Sequence, residues 1–180
     1  MSSHYFIGIK APSSLWSHVE VYRDKLSLEQ FYKVIPHKED LHMTLLFIGS
    51  FPDERLRLLQ EILTSVAGRH SSIHLHVNHL SYFGSPKGPR VVYLGMDDSQ
   101  ALIALQRDIN DSCKELLGLS DSKKFTPHIT IAKKRKFEGG ESIVKELFEG
   151  VPFQVDGFSL FKIHPSRNPK YEQITYFSLL

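Results

Sequence analysis

Two short stretches of this chain repeat one pattern: a histidine, any residue, then a threonine. They are residues 42–44 (His-Met-Thr) and 128–130 (His-Ile-Thr). The first lies in an apolar run over 41–48 and the second opens one over 129–132, so both are predicted to lie on buried or half-buried strands. Because side chains two apart on a strand point the same way, each histidine shares a face with its threonine. The pattern therefore predicts, twice, an imidazole that can exchange a proton beside a hydroxyl that can hydrogen-bond an oxyanion.

A strand histidine is often simply hydrogen-bonded into its fold, and that explanation needs no chemistry. The shared surroundings of the two tripeptides favour chemistry, because a polar loop that contains proline precedes each of them, at 36–40 and 123–127. If the two imidazoles converge, one could accept a proton while the other donates one. That division of labour is the requirement of general acid–base catalysis.

The motifs resemble those of a known family. Residues 41–49 (LHMTLLFIG) and 125–133 (FTPHITIAK) are similar to the two signature motifs of the 2H phosphoesterases, in particular the RNA 2',3'-cyclic phosphodiesterases, formerly called 2'-5' RNA ligases. Strands predicted at 5–9, 89–95 and 171–177 follow the same order, so the resemblance covers essentially the whole chain. It implies an α+β fold: one domain over 1–180, built as two pseudo-symmetric lobes of mainly antiparallel sheet with outer helices and an active-site cleft between them.

The resemblance also implies a reaction. It is metal-independent hydrolysis of RNA 2',3'-cyclic phosphate ends to a 2'-phosphate, on RNA 3' ends or nucleoside 2',3'-cyclic phosphates, with no cofactor. His42 and His128 would be catalytic, with His128 as base and His42 as acid, although the residues alone do not distinguish the two roles. Thr44 and Thr130 would bind the non-bridging oxygens as negative charge builds there.

Three further residues are candidates for substrate binding. Lys133 stands where relatives often carry arginine, so it would supply a charge but not a bidentate fork. Phe125 could stack on a base, although an aromatic residue ahead of a buried strand is also a common core residue. Arg90 forms a second basic spot with Lys87, and a solvated basic face would explain the same residues. The loop over 164–170 lacks the serine and glycine spacing of the relatives, so its contacts stay unassigned.

Composition sets the broad class. With 41% hydrophobic and 23% charged residues, the chain is typical of a globular domain, and a net charge of +2 does not by itself indicate a nucleic-acid binder. The single cysteine, Cys113, falls on the apolar stripe of a predicted helix, which indicates a small core residue in a reducing compartment. The start of the chain has no signal-peptide pattern and no apolar run could span a bilayer, so a cytoplasmic monomer without membrane contact is expected.

Periodicity and turn residues predict the remaining elements. Helices are expected over 12–26, 52–68, 99–117 and 140–148, the second stopped by Gly68 and the third capped by 97–99. Strands are expected over 4–10, 31–35, 72–83, 90–96 and 171–177, besides the two motif strands. A single strand or a bent pair of strands is expected over 151–163. Within 72–83 the residues alternate, with isoleucine, leucine and valine on one face and histidines on the other.

Three alternatives remain open from the sequence. The first is a non-catalytic RNA-binding or nucleotide-binding module that keeps the cleft. The second is a 2H enzyme acting on another bond, such as ADP-ribose cyclic phosphate, a 2'-5' linkage or an acyl carrier phosphodiester. The third is a metal hydrolase built on His74 and His76, whose i, i+2 spacing on a strand would allow chelation.

Overall fold

The computed structural model describes residues 1–121, 123–140 and 142–180. These ranges contain four α-helices: α1 (Trp16–Lys25), α2 (Leu28–Phe31), α3 (Leu56–Ala67) and α4 (Gln100–Leu117). They also contain nine strands: β1 (Ser2–Lys10), β2 (Tyr32–Val34), β3 (His42–Pro52), β4 (Ile73–Phe83), β5 (Val91–Met96), β6 (His128–Arg135), β7 (Glu146–Val155), β8 (Gly157–Ile163) and β9 (Tyr171–Ser178).

The strands form a sheet whose neighbours are antiparallel, in the order β7-β4-β5-β6-β3-β1-β8-β9, with β2 added to β6. The two motif strands, β6 and β3, lie at the centre, and three strands follow outward on each side. The two halves meet where Met43 pairs with Ile129, and both of these side chains are fully buried. The predicted α+β architecture of mainly antiparallel sheet is confirmed, and the motif strands form the seam between its halves.

Helices α3 and α4 pack against each other, and they contact β9 and β3 respectively. Their apolar stripes are buried as the periodicity predicts, and each fully buried leucine contributes about 1.5–3 kcal/mol of hydrophobic free energy. The hydroxyl of Ser99 accepts a hydrogen bond from Leu102 N and caps α4, and Gly118 ends the helix in the left-handed conformation. The helices thus cover the side of the sheet that holds Met43 and leave the side of the two histidines to form a cleft.

Cys113 lies on the buried stripe of α4, as the sequence predicts. Burial raises the pKa of its thiol to about 11, so the thiolate that a nucleophile needs is scarce near neutral pH. None of the described helices combines the length and the apolar character that a membrane crossing requires.

The prediction of a helix over 140–148 is wrong for the residues of that segment that the structure describes. Residue 141 lies outside the described residues. Its last three residues belong to β7, where Leu147 pairs with His79 and Glu146 with Leu80 of β4. The buried residues of β7 alternate through Val155, and the ladder to β4 satisfies the backbone of the segment. Tertiary pairing with β4 therefore overrides the helix expected for this stretch.

Candidate active site

The register of the two motif strands brings both tripeptides together. Because β3 and β6 are antiparallel and meet at Met43 and Ile129, His42 lies beside Thr130 and Thr44 lies beside His128. Met43 and Ile129 point into the core, so the four flanking side chains point to the opposite side of the sheet. All four are half-buried there. Residues more than 80 positions apart in the sequence thus form one polar cluster.

The imidazole of His42 is held at both nitrogens. Its Nδ1 lies 2.7 Å from the backbone carbonyl oxygen of Asp40, and its Nε2 lies 2.9 Å from the hydroxyl of Thr44. A carbonyl oxygen only accepts, so Nδ1 carries the hydrogen and Nε2 of the neutral ring accepts from Thr44. Burial, with a smaller contribution from the positive charge of Lys133, lowers the pKa of His42 to about 4. In the free protein this ring is neutral near pH 7.

His128 repeats this arrangement. Its Nδ1 donates to the backbone carbonyl oxygen of Thr126 at 2.7 Å, which leaves Nε2 as the unprotonated nitrogen. The ring packs edge-on against Phe83, with centroids 5.0 Å apart, and lies 5.2 Å from the ring of Tyr93. Burial lowers its pKa as well. Both histidines therefore present an Nε2 able to take a proton.

Aromatic side chains fix the position of the His42 ring. Phe6 lies 4.6 Å from it and Tyr171 meets it edge-on at 5.1 Å, while Phe6 also stacks on Phe161. A Cβ atom at Gly8 would lie 2.8 Å from the carbonyl oxygen of Met43, so glycine is needed where β1 pairs with β3 next to this site. The low-polarity wall explains why the charged form of His42 is disfavoured.

A cleft of about 340 Å³ opens over this cluster, within the range of ligand-binding pockets. Its lining includes His42, Thr44 and Thr130, while His128 lies at the adjoining position on the same face. Three lysines line it as well: Lys133, Lys134 and Lys170. The cleft therefore combines acid–base groups, hydroxyls and positive charge, which suits an anionic substrate.

Lys133 reaches the cleft only because β6 contains a bulge. Tyr93 of β5 pairs with Thr130, but the next residue, Val92, pairs with Ala132, so one extra residue is inserted in β6. Simple alternation from Thr130 would place Lys133 on the opposite face; the bulge returns it to the cleft. Burial lowers the pKa of its ammonium group, and the charges of Lys134 and Lys170 lower it further. An anion in the cleft would relieve this crowding of positive charge.

The other two predicted substrate-binding residues lie elsewhere. Phe125 is half-buried and packs against the hydrophobic core. Arg90 is exposed just before β5, and its aliphatic stem packs near Gly84. Neither belongs to the described residues that line the cleft. A contact between either side chain and a substrate stays a prediction.

Sequence reasoning missed Asp40, which links the loop over 164–170 to the first motif. Its carboxylate is 5% exposed and accepts hydrogen bonds from Lys170 N at 2.7 Å and Tyr171 N at 3.1 Å. Its backbone carbonyl holds His42. Its position two residues ahead of the histidine, at the end of a polar loop, was the only signal in the sequence. Asp40 thus holds in place both His42 and the loop over 164–170, which lines the cleft.

We expect Asp40→Ala to lower the free energy of unfolding by about 1–3 kcal/mol, because two partly buried backbone N–H groups lose their acceptor. Loosening of Lys170 and Tyr171 should also raise the KM for an anionic substrate. Urea denaturation and steady-state kinetics measure the two effects. Asp40→Asn is the matched control and should show a smaller loss, since one oxygen still accepts. Unchanged stability in Asp40→Ala would contradict this role.

The histidines at 74 and 76 are exposed on β4, as the alternation predicts, while Ile73, Leu75 and Val77 are buried. Nδ1 of His76 lies 3.4 Å from a carboxylate oxygen of Asp97. Over 1–121, 123–140 and 142–180, no group of three or more His, Cys, Asp or Glu side chains is arranged to hold a metal ion.

Known proteins are similar to this chain in sequence. A family model described as the 2'-5' RNA ligase superfamily matches residues 11–167. The chain is 32% identical over 183 residues to an RNA 2',3'-cyclic phosphodiesterase of Geobacillus stearothermophilus, which covers 99% of this chain and 58% of that protein. It is 27% identical over 177 residues to an RNA 2',3'-cyclic phosphodiesterase of Bacillus subtilis, which covers 98% of this chain and 96% of that protein. The chain thus spans a little over half of the Geobacillus relative and nearly all of the Bacillus relative.

Solved structures agree on the fold. The crystal structure of TT0787 of Thermus thermophilus superposes with a TM-score of 0.83 at 26% identity, covering 98% of this chain and 97% of that chain. Escherichia coli LigT complexed with 3'-AMP superposes with a TM-score of 0.80 at 21% identity over 99% of both chains, a likeness that concerns the fold alone. The resemblance predicted from the two motifs is confirmed, and the chain belongs to the 2'-5' RNA ligase superfamily, the 2H phosphoesterases.

Proposed function

We propose that this protein hydrolyses the 2',3'-cyclic phosphate at RNA 3' ends, or of nucleosides, to a 2'-phosphate without a metal ion or cofactor. The observation that carries the proposal is the pairing of Met43 with Ile129, which places His42 next to Thr130 and Thr44 next to His128 on one face of the sheet, at a lysine-lined cleft. The names of the curated relatives, RNA 2',3'-cyclic phosphodiesterases, support the same reaction class. The buried thiol of Cys113 suits a reducing compartment, so we place the protein in the cytoplasm. We also propose that it acts as a monomer.

In the proposed step, a water oxygen attacks phosphorus while Nε2 of His128 takes its proton. The bond from phosphorus to the 3' oxygen breaks, and Nε2 of His42 gives its proton to that oxygen. The products are a 3'-hydroxyl and a 2'-phosphate. Each proton transfer contributes about 10²–10⁴-fold to the rate. The hydroxyls of Thr44 and Thr130 donate to the non-bridging oxygens, where charge accumulates in the transition state.

Protonation of His42 is linked to the hydroxyl of Thr44. In the neutral ring, Nε2 accepts the hydrogen of that hydroxyl at 2.9 Å. When Nε2 gains a proton it no longer accepts, so the hydroxyl hydrogen becomes available to a phosphate oxygen. A bound phosphate anion raises the pKa of His42 by direct charge attraction. Binding of the substrate thus favours the protonated form of His42, which is the acid, and frees the hydroxyl of Thr44 to donate to a phosphate oxygen.

In the free protein, the pKa values of His42 and His128 are both lower than the ordinary pKa of histidine. This lowering predicts a specific pH dependence of the rate. Above about pH 6.5 both rings are neutral and no acid is available, so kcat/KM should fall about tenfold per pH unit. In the substrate complex the phosphate raises the pKa of His42, so kcat should persist to higher pH. Initial rates between about pH 5 and pH 9 measure both profiles. A kcat/KM that rises across this range would contradict the assignment.

The direct test of the proposed function is a turnover assay with nucleoside 2',3'-cyclic phosphates in excess chelator. Phosphorus NMR identifies the product, and we expect a 2'-phosphomonoester. Loss of turnover on chelation would point to a metal hydrolase, and binding without turnover by the unmutated protein would point to a binding module. A 3'-phosphate product would overturn the assignment of the leaving oxygen.

A further inference from the structure

A second groove lies beyond the far end of the cleft, between the loop that precedes β5 and the segment that follows β6. It has a volume of about 680 Å³. Its lining comprises Ser85, Lys87 and Gly88 on one side and Arg135, Lys136, Phe137, Glu138, Gly139 and Gly140 on the other. The proposed hydrolysis at His42 and His128 makes no use of it.

The walls of this groove are held in place by Arg135. Its Nη1 donates to the hydroxyl of Tyr32 at 3.2 Å, and that hydroxyl donates to the carbonyl oxygen of Pro89 at 2.9 Å. Nε of Arg135 donates to the carbonyl oxygen of Phe137 at 3.2 Å, and the guanidinium lies over the ring of Phe31 at 5.0 Å. Both walls are thus tied to one side chain, so a ligand would bind without ordering them first.

The chemistry of the groove fits a single-stranded nucleic acid. Lys87 and Lys136 are exposed and outweigh the single acid among the described lining residues, Glu138. Nζ of Lys136 donates to the carbonyl oxygen of Glu29 at 2.7 Å, which leaves two of its three hydrogens for a ligand. Phe137 is 51% exposed, and its ring packs edge-on against that of Phe31 with centroids 5.5 Å apart. Cations that follow a phosphate backbone beside an exposed aromatic ring on which a base can stack are the recurring features of such sites.

Strand β6 connects this groove to the cleft. It carries Thr130, Lys133 and Lys134 in the cleft and Arg135 at the groove, so positive charge continues along the strand. The distance from Thr130 to Arg135 along a strand is roughly 15 Å. A mononucleotide in the cleft cannot span that distance, whereas an oligonucleotide can, because stacked nucleotides are about 3.4 Å apart.

We propose that this groove binds the body of an RNA strand several nucleotides upstream of the reacting 3' end, so that the preferred substrate is an oligonucleotide. The inference rests on the proposed function, since it assumes that the cyclic phosphate lies between the two histidines. Lys87 and Lys136 contact backbone phosphates, and Phe137 stacks on a base. The groove thereby distinguishes an RNA end from a free nucleoside cyclic phosphate.

The test compares two substrates in the triple variant Lys87→Ser, Lys136→Ser, Phe137→Ala. For a hexanucleotide ending in a 2',3'-cyclic phosphate, KM should rise about tenfold or more, because stacking on one aromatic ring alone accounts for about 5-fold to 150-fold in binding. For the matching mononucleoside 2',3'-cyclic phosphate, kcat and KM should stay unchanged. The dependence of log KM on log salt for the hexanucleotide should weaken by about 0.7 per lysine removed.

Arg107→Ser, which removes an exposed cation of α4, is the matched control and should leave both substrates unaffected. Equal kinetic changes for the two substrates, or none for the hexanucleotide, would overturn the proposal. If the unmutated protein turned over neither substrate, the proposed function would fail separately. The groove would then be judged by fluorescence anisotropy with a labelled hexanucleotide, where tenfold weaker binding by the triple variant supports it and equal binding overturns it.

Discussion

His42→Ala and His128→Ala should each lower kcat for a nucleoside 2',3'-cyclic phosphate by about 10²–10⁴-fold, because each removes one of the two proton-transfer groups. Each substitution also removes a ring that packs against aromatic neighbours, so some loss of stability should accompany the loss of activity. Steady-state kinetics and thermal unfolding separate the two effects. His74→Ala, which removes an exposed histidine of β4, is the control and should keep full activity.

The double variant of His42 and His128 sharpens this result. Both rings act on the same bond-breaking step, so losing the second should cost much less than losing the first. A double variant whose loss is the full product of the two single losses would indicate that the rings act in separate steps. Near-normal turnover by either single variant would remove that histidine from the mechanism.

Thr44→Val and Thr130→Val should each lower kcat by about 10²–10³-fold, the usual effect of removing one donor to a developing oxyanion. Valine keeps the shape of threonine and removes only the hydroxyl, and Thr→Ser at the same positions should restore most of the rate. KM should change less than kcat, because the charge on the non-bridging oxygens grows in the transition state.

The two threonine variants should also differ from each other. Only Thr44 donates to Nε2 of His42, a bond that favours the neutral ring. Its loss should raise the pKa of His42 and move the fall in kcat/KM to higher pH, whereas Thr130→Val should leave that profile in place. Identical pH profiles for the two variants would contradict the linkage between Thr44 and His42.

The sequence predicted those features of the candidate site that local alternation along a strand determines. Because side chains alternate along a strand, each histidine lies on the same face as its threonine. The apolar residue between them lies on the other face of the strand, which is therefore expected to be buried. The capped helix α4 and the alternation of β4 also followed from local patterns. These features need no knowledge of distant partners, which explains why they were predictable.

Features that depend on distant partners were not predictable. The extra residue in β6 that turns Lys133 into the cleft carries no sequence signal, because it is set by pairing with β5. Asp40 looked like an ordinary loop acid until the fold brought Lys170 and Tyr171 to its carboxylate. The segment 146–148 reads as helix locally and becomes strand because β4 offers it an edge.

If both imidazoles act on one phosphate, proton and nitrogen NMR of the histidine rings should detect a nucleoside 2'-phosphate at both of them. We expect the signals of His42 and His128 to shift together along one titration curve with one Kd, and the pKa of His42 to rise on binding. Shifts confined to one of the two rings, or two curves with different Kd values, would contradict it.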